Sequence, residues 1–200
     1  MISHKYRCIF VHIPRTAGTS IEYSIIGDDW WNINPQTKHI FSQTARNHYK
    51  DYWDDYFKFS VIRNPWDRLV SMTRYSSFYN IHIKNHLIDI TNYVQNFPNC
   101  EIDFRSLSSN EDIYFSAPNS LYQNILSPDI DFVVKYENLE NDMLKVFDHI
   151  KFPGKLQKIK CKTGNNDYKK FHYSKYYTDE TKEIVYNIYK NDIKKFSFQF

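Results

Sequence analysis

Tyr6-Arg7-Cys8-Ile9-Phe10-Val11-His12-Ile13-Pro14 runs directly into Arg15-Thr16-Ala17-Gly18-Thr19-Ser20-Ile21-Glu22. Residues 6–13 form a short apolar run of β-branched and aromatic side chains, the pattern of a strand buried on both faces of a parallel sheet. Pro14 ends it. Thr19 and Glu22 then fit a capping box that opens a helix, and Gly27 is placed to stop it. The local grammar is strand, tight loop, helix.

The same grammar returns further along the chain. Phe57–Ile62 reads as a strand, Arg63 stands at its tip, and Asn64-Pro65 supplies an N-cap and a first-turn proline for a helix of about three turns that runs past Ser71. Residues 131–136 give a third strand, with Glu137 and Asn138 ordering the start of a helix through about His149. Residues 178–196 close the chain as an amphipathic helix, with Ile184, Val185, Ile188, Tyr189 and Ile193 at helical spacing. Residues 41–52 and 84–97 read as helical, whereas 99–116 and 152–167 read as loops, the former long enough to expect a function for it. Strands alternating with helices predict an α/β fold, three layers in the order αβα around a mainly parallel central sheet. No repeat or linker interrupts the chain, so residues 1–200 are expected to form a single domain.

Composition narrows the function. The chain is 42% hydrophobic and 24% charged, and no apolar run reaches the roughly 18 residues of a membrane span, so a membrane partner is not expected. Residues 1–5 lack a secretory pattern, which points to the cytoplasm. A net charge of +3 is too small to argue for nucleic acid but suits an anionic small ligand. Cys8, Cys100 and Cys161 are far apart and outside any C-x-x-C pair, so they read as reduced and structural, with no metal site. The excess of Ile, Asn, Lys, Tyr and Phe matches an AT-rich coding bias. Against that bias, Ala17 and Gly18, among only three alanines and four glycines, point to a geometric need.

Ligands of open parallel sheets bind beyond the carboxyl ends of the strands, where a helix N-terminus offers free N–H groups to an anion. The first loop places Arg15, Gly18 and the hydroxyls of Thr16, Thr19 and Ser20 at such a point. It differs from a G-x-x-x-x-G-K-[ST] loop, because Gly18 stands alone and the basic residue precedes it. Arg63 and Ser71, eight residues apart, make a second anion site, the arginine at a strand tip and the serine two turns into the next helix.

These two stretches, Phe10 through Ser20 and Phe59 through Ser71, resemble the two cofactor motifs of the sulfotransferases, specifically the carbohydrate type related to the heparan sulfate 2-O and chondroitin enzymes. The resemblance extends through Tyr136-Glu137-Asn138-Leu139 and the C-terminal segment from Tyr176, so it covers most of the chain. It implies the P-loop-NTPase-like sulfotransferase fold and transfer of a sulfuryl group from 3′-phosphoadenosine 5′-phosphosulfate (PAPS) to an acceptor hydroxyl, leaving 3′,5′-ADP. By the same resemblance, Arg15, Thr16, Ala17, Gly18, Thr19 and Ser20 hold the 5′-phosphosulfate, with Arg15 also beside the transferring group, and Arg63 and Ser71 hold the 3′-phosphate. The family's first loop usually carries Lys where this chain has Arg15, a planar fork in place of a point charge. A carbohydrate acceptor is implied, with a tyrosine or small-alcohol hydroxyl as the alternative.

Displacement at sulfur needs a base for the acceptor proton. The family places it after the first unit, in a stretch that begins with His and leads into a helix, which here is His39-Ile40-Phe41. His48 is the next candidate, and His12, inside the first strand, reads as a packed residue. Fixed cations and helix N-termini suffice for electrostatic stabilisation, so no metal is expected. Two rivals remain on sequence grounds: a kinase, whose only magnesium carboxylate would be Asp131 at the wrong end of its strand, and a non-catalytic nucleotide- or glycan-binding module. Arg74 and residues 168–173 are further candidates to face the ligand.

Overall fold

The computed structural model describes residues 1–73, 81–96, 121–159 and 171–200. In chain order these give β1 (Ile2–Ser3), β2 (Cys8–Val11), α1 (Gly18–Ile26), α2 (Trp30–Ile33), α3 (Ser42–His48), α4 (Lys50–Trp53), β3 (Phe57–Ile62) and α5 (Pro65–Met72). There follow β4 (His82–Lys84), β5 (Leu87–Asp89), α6 (Thr91–Asn96), α7 (Tyr122–Ile125), β6 (Phe132–Lys135), α8 (Leu139–His149) and α9 (Asp179–Phe196). Contacts group the chain into two compact units, residues 1–62 with 102–160 and residues 63–101 with 161–200.

The first unit holds the sheet, in the order β1-β2-β3-β6. β2, β3 and β6 are parallel, with Phe10 opposite Phe59 and Phe59 opposite Phe132, and β1 adds an antiparallel edge through Ile2 and Ile9. The α/β fold with a mainly parallel sheet is as the sequence predicts. Phe10, Phe59, Val61 and Val134 point to one face, where Ile21 and Ile25 of α1 and Met143, Val146 and Phe147 of α8 complete a core. The alternating residues Ile9, Val11, Ser60 and Ile62 are buried as well, which is why these strands read as near-continuous apolar runs. Ser60 pins β3 to β2 by donating its hydroxyl to the Val11 carbonyl at 2.7 Å. At the opposite, amino ends of the strands, Asp131 accepts from the Lys58 amide at 2.7 Å and pairs with its ammonium at 3.0 Å. A cavity of about 600 Å³ opens at that end, lined by Asp54, Asp55, Lys58, Asp131, Lys145 and His149 among others.

The second unit holds α5, the β4–β5 hairpin and α9. Asn64 caps α5 by accepting from the Trp66 amide at 3.1 Å, with Pro65 in the first turn as expected. Its amide nitrogen also donates to the Gln199 carbonyl at 2.6 Å. The Trp66 indole donates to the Lys182 carbonyl at 3.1 Å, and the Tyr177 hydroxyl donates to the Trp66 carbonyl at 2.8 Å. α9 opens with a reciprocal capping box between Thr178 and Thr181.

Four sequence expectations change. Residues 84–97 are not one helix: Asn85 and His86 both take positive φ, 49° and 64°, so the chain reverses in a two-residue turn between β4 and β5 before α6 begins. Ile88 and Ile90, buried at period 2, are strand-like rather than helical. Residues 41–52 break at Tyr49 (φ −109°, ψ 28°) into α3 and α4. The helix after Arg63 reaches Met72, eight residues rather than three turns. Asn138 occupies the N-cap position of α8, but its side chain donates to Asp142 at 3.0 Å instead of capping. The readings for Arg74, Cys100, Cys161 and residues 99–116, 160–167 and 168–170 lie outside the described residues. No described helix is long and apolar enough to cross a membrane.

Candidate active site

β2 delivers the chain to the loop at its carboxyl end. Arg15 (φ 68°) and Ala17 (φ 71°) are both left-handed, separated by Thr16, which is not, and followed by Gly18, the first residue of α1. Alternating the sign of φ turns successive N–H groups to one side, and a helix N-terminus follows, a backbone geometry able to cradle an anion. Non-glycine residues at positive φ carry strain of order 1 kcal/mol each and cluster where backbone geometry serves a ligand. The Thr16 hydroxyl is fully buried and donates to the Ile13 carbonyl at 2.7 Å, bracing the turn. Ser20 and Ser24 on α1 accept from the amides of Ile159 at 3.2 Å and Gln157 at 2.8 Å.

The helix does not start with the capping box predicted for Thr19 and Glu22. Ala17 is the N-cap and makes no side-chain cap bond, and Thr19 lies inside the first turn. The Glu22 carboxylate is committed elsewhere. It is fully buried, with Oε1 2.6 Å from His12 Nδ1 and Oε2 accepting from Lys38 Nζ at 2.8 Å and from the Trp30 amide at 3.2 Å. Lys38, 2% exposed, also pairs with Asp29, the N-cap of α2. Burial alone would raise the Glu22 carboxyl, but His12 and then Lys38 outweigh it and hold it well below the usual carboxylate range. This buried network was not read from the sequence, although a signal was present. Positions 18, 21, 22 and 25 form the inward stripe of α1, and Glu22 is the one charge in it.

His12 explains Gly18. A Cβ at position 18 would lie 2.0 Å from His12 Nε2 and 2.1 Å from Cδ2, so the glycine makes room for an imidazole rather than only for a ligand. Gly18→Ala is expected to cost at least about 1–3 kcal/mol by overpacking and to loosen the His12–Glu22 bond. Urea denaturation of the variant measures it, and wild-type stability would show that the ring can shift at no cost.

His39 sits against this network, as does no other described candidate base. Its Nδ1 lies 3.0 Å from the His12 carbonyl oxygen, and its ring packs edge-on to that of His12 at 4.4 Å and of Trp31 at 5.6 Å. A carbonyl only accepts, so Nδ1 carries the hydrogen and Nε2 keeps the lone pair. Burial, then the neighbouring His12, holds the His39 imidazole well below its ordinary value, which keeps it neutral. His48 lies instead at the end of α3, edge-on to Tyr49 at 4.8 Å. His12 is the packed residue that the sequence suggests, 4% exposed.

In the second unit, Arg63 follows the last residue of β3 and its Nε donates to Asp67 at 2.7 Å, which fixes the guanidinium along the first turn of α5. Ser71 is 1% exposed on the same helix. Among the described residues no group of three or more His, Cys, Asp or Glu is disposed to hold a metal. Burial pushes the Cys8 thiol up to about 12, so it is inert, in line with a structural reading.

Set beside known proteins, residues 1–199 match the model of the family described as the sulfotransferase family, a match that runs through both units. The chain belongs to that family and is a sulfotransferase: it moves a sulfuryl group to an acceptor hydroxyl, and the family's general donor is PAPS. No curated protein and no solved structure matches the chain.

Proposed function

We propose that this sulfotransferase takes PAPS at the loop after β2, acts on a carbohydrate hydroxyl, and uses His39 as its general base. The observation that supports the base assignment is the bond from His39 Nδ1 to the His12 carbonyl, which leaves the Nε2 lone pair for a proton. When bound, the donor supplies the sulfuryl group. Backbone N–H groups of Arg15 through Thr19 hold its 5′-phosphosulfate, and the Arg15 guanidinium offsets negative charge on the oxygen that departs with the phosphate. Thr16 serves through its backbone, since its hydroxyl hydrogen is spent on Ile13, whereas Ser20 accepts from Ile159 and keeps its own hydrogen for a phosphate oxygen. Arg63 and Ser71 hold the 3′-phosphate, the group that separates this donor from ATP.

Thermal shift tests the donor reading. 3′,5′-ADP is expected to raise the melting temperature by several degrees, more than 5′-AMP or ATP with magnesium, because a ligand that binds only the folded state stabilises it by mass action. Arg63→Ala and Ser71→Ala are expected to erase the preference for the 3′-phosphate. A preference for ATP with magnesium would overturn the donor assignment, and undiminished selectivity in both variants would remove Arg63 and Ser71 from it.

A further inference from the structure

We propose that Trp31 is the acceptor platform, a flat indole on which a pyranose ring lies while one of its hydroxyls meets Nε2 of His39. The inference rests on the reading of His39 as the base and adds the group that positions the substrate. Asp29 caps α2 by accepting from the Trp31 amide at 2.9 Å, and the single turn that follows sends its two tryptophans apart. Trp30 turns inward, 6% exposed, with its indole donating to Thr37 at 2.8 Å, whereas Trp31 is 50% exposed. Scattered apolar residues on a surface need no explanation. This one stands against the ring of His39, 5.6 Å between centroids and 74° between planes.

The platform is also held in place. Lys38 ties the stretch around α2 to α1 through Asp29 and the fully buried Glu22, and its ammonium lies 5.7 Å from the centre of the Trp31 ring. A ring fixed before the ligand arrives loses little entropy on binding. The indole face carries the negative lobe of its quadrupole and attracts the positively polarised C–H bonds on the flat side of a sugar. The hydroxyls of a pyranose project from its edge, so a sugar on Trp31 reaches a base one ring-width away. The exposed residues that neighbour Trp31 in the chain are mixed, polar Asn32 and Gln36 with apolar Ile33, and Asn32 donates to Asp28 at 2.8 Å. A pyranose offers the polar members several hydroxyls where a phenol ring offers one, which favours a saccharide over a tyrosyl acceptor.

Trp31 is also the one solvent-exposed tryptophan of four, since Trp30, Trp53 and Trp66 are 6%, 1% and 3% exposed. Acrylamide quenching of the full chain, saturated with 3′,5′-ADP, therefore reads position 31. Desulfated chondroitin hexasaccharide, chitohexaose and cellohexaose are the probes, with a tyrosine-containing peptide as comparison. At least one saccharide is expected to cut the quenchable fluorescence by about half, the effect is expected to vanish in Trp31→Ala, and the peptide is expected to do nothing. With the same saccharide as acceptor, Trp31→Ala is expected to raise the acceptor KM at least ten-fold and leave the 3′,5′-ADP thermal shift and the donor KM unchanged, and Trp31→Phe is expected to restore most of the loss. Protection by none of the saccharides, protection by the peptide instead, or an unchanged acceptor KM in Trp31→Ala overturns the platform. The base reading fails separately: full turnover in His39→Ala with a raised acceptor KM in Trp31→Ala would dismiss His39 and leave Trp31 standing.

Discussion

Replacing His39 with alanine is expected to lower turnover by about 10²–10⁴-fold, the usual contribution of a positioned general base, while 3′,5′-ADP still raises the melting temperature. The split follows from geometry. The Nδ1 bond to the His12 carbonyl leaves Nε2 of His39 as the basic nitrogen, and His39 lies outside the loop between Ile13 and Gly18. The pH profile adds a check. Burial first, and His12 second, hold the imidazole well below 6.5, so the neutral form is fully present at pH 7 and the acidic limb of kcat/KM lies well under pH 6.5. An acidic limb at or above that value, or a His39→Ala enzyme with wild-type turnover, would assign the proton to another group.

The largest loss of stability is expected from Glu22→Ala. The carboxylate is fully buried and serves the His12 ring, the Lys38 ammonium and the Trp30 amide together, so its removal leaves a buried cation short of its partner. Breaking such a pair costs about 3–5 kcal/mol, which for a chain of this size lowers the melting temperature by roughly 6–20 °C. The same network sets the response to acid. The Glu22 carboxyl is depressed in the folded chain, so its contribution is complete above the ordinary value of 4.5 and fades as pH falls below it. His12, buried, and His39, half-buried, are also depressed, desolvation being the first cause for both. The unfolded chain takes up their protons first, so stability is full above about pH 6.5 and declines beneath it, by up to about 1.4 kcal/mol per pH unit for each ring. Urea midpoints between pH 4 and 8 would show this slope. A flat profile, or a Glu22→Ala melting point within a few degrees of wild type, would mean that water replaces the carboxylate.

Much of this was legible in the sequence because apolar runs and punctuation carry the signal. Phe57–Ile62 is bounded as predicted, Asn64-Pro65 starts α5, Thr178 starts α9, and Gly27 stops α1 at φ 81°. Harder to read were elements too short to show a period, such as the two residues of β1 and the four of α2 and α7. The β4–β5 hairpin hid because its reversal uses Asn85-His86 rather than a glycine turn. Arg15 and Gly18 are read from the loop between strand and helix and His39 from the family resemblance, whereas the partnership of Glu22 with Lys38 joins residues sixteen apart across the turns that follow α1. Charge patterns report neighbours on one helix, not those across a loop.

The hydroxyls of Ser20 and Ser24 take their amide partners from Ile159 and Gln157, separations of 139 and 133 residues. Contacts this distant in sequence form late, since a long loop must close before they repay its entropy. The brace that Ile159 and Gln157 give to α1 is therefore expected to form after the nearer tie of Glu22 to Lys38, sixteen residues away.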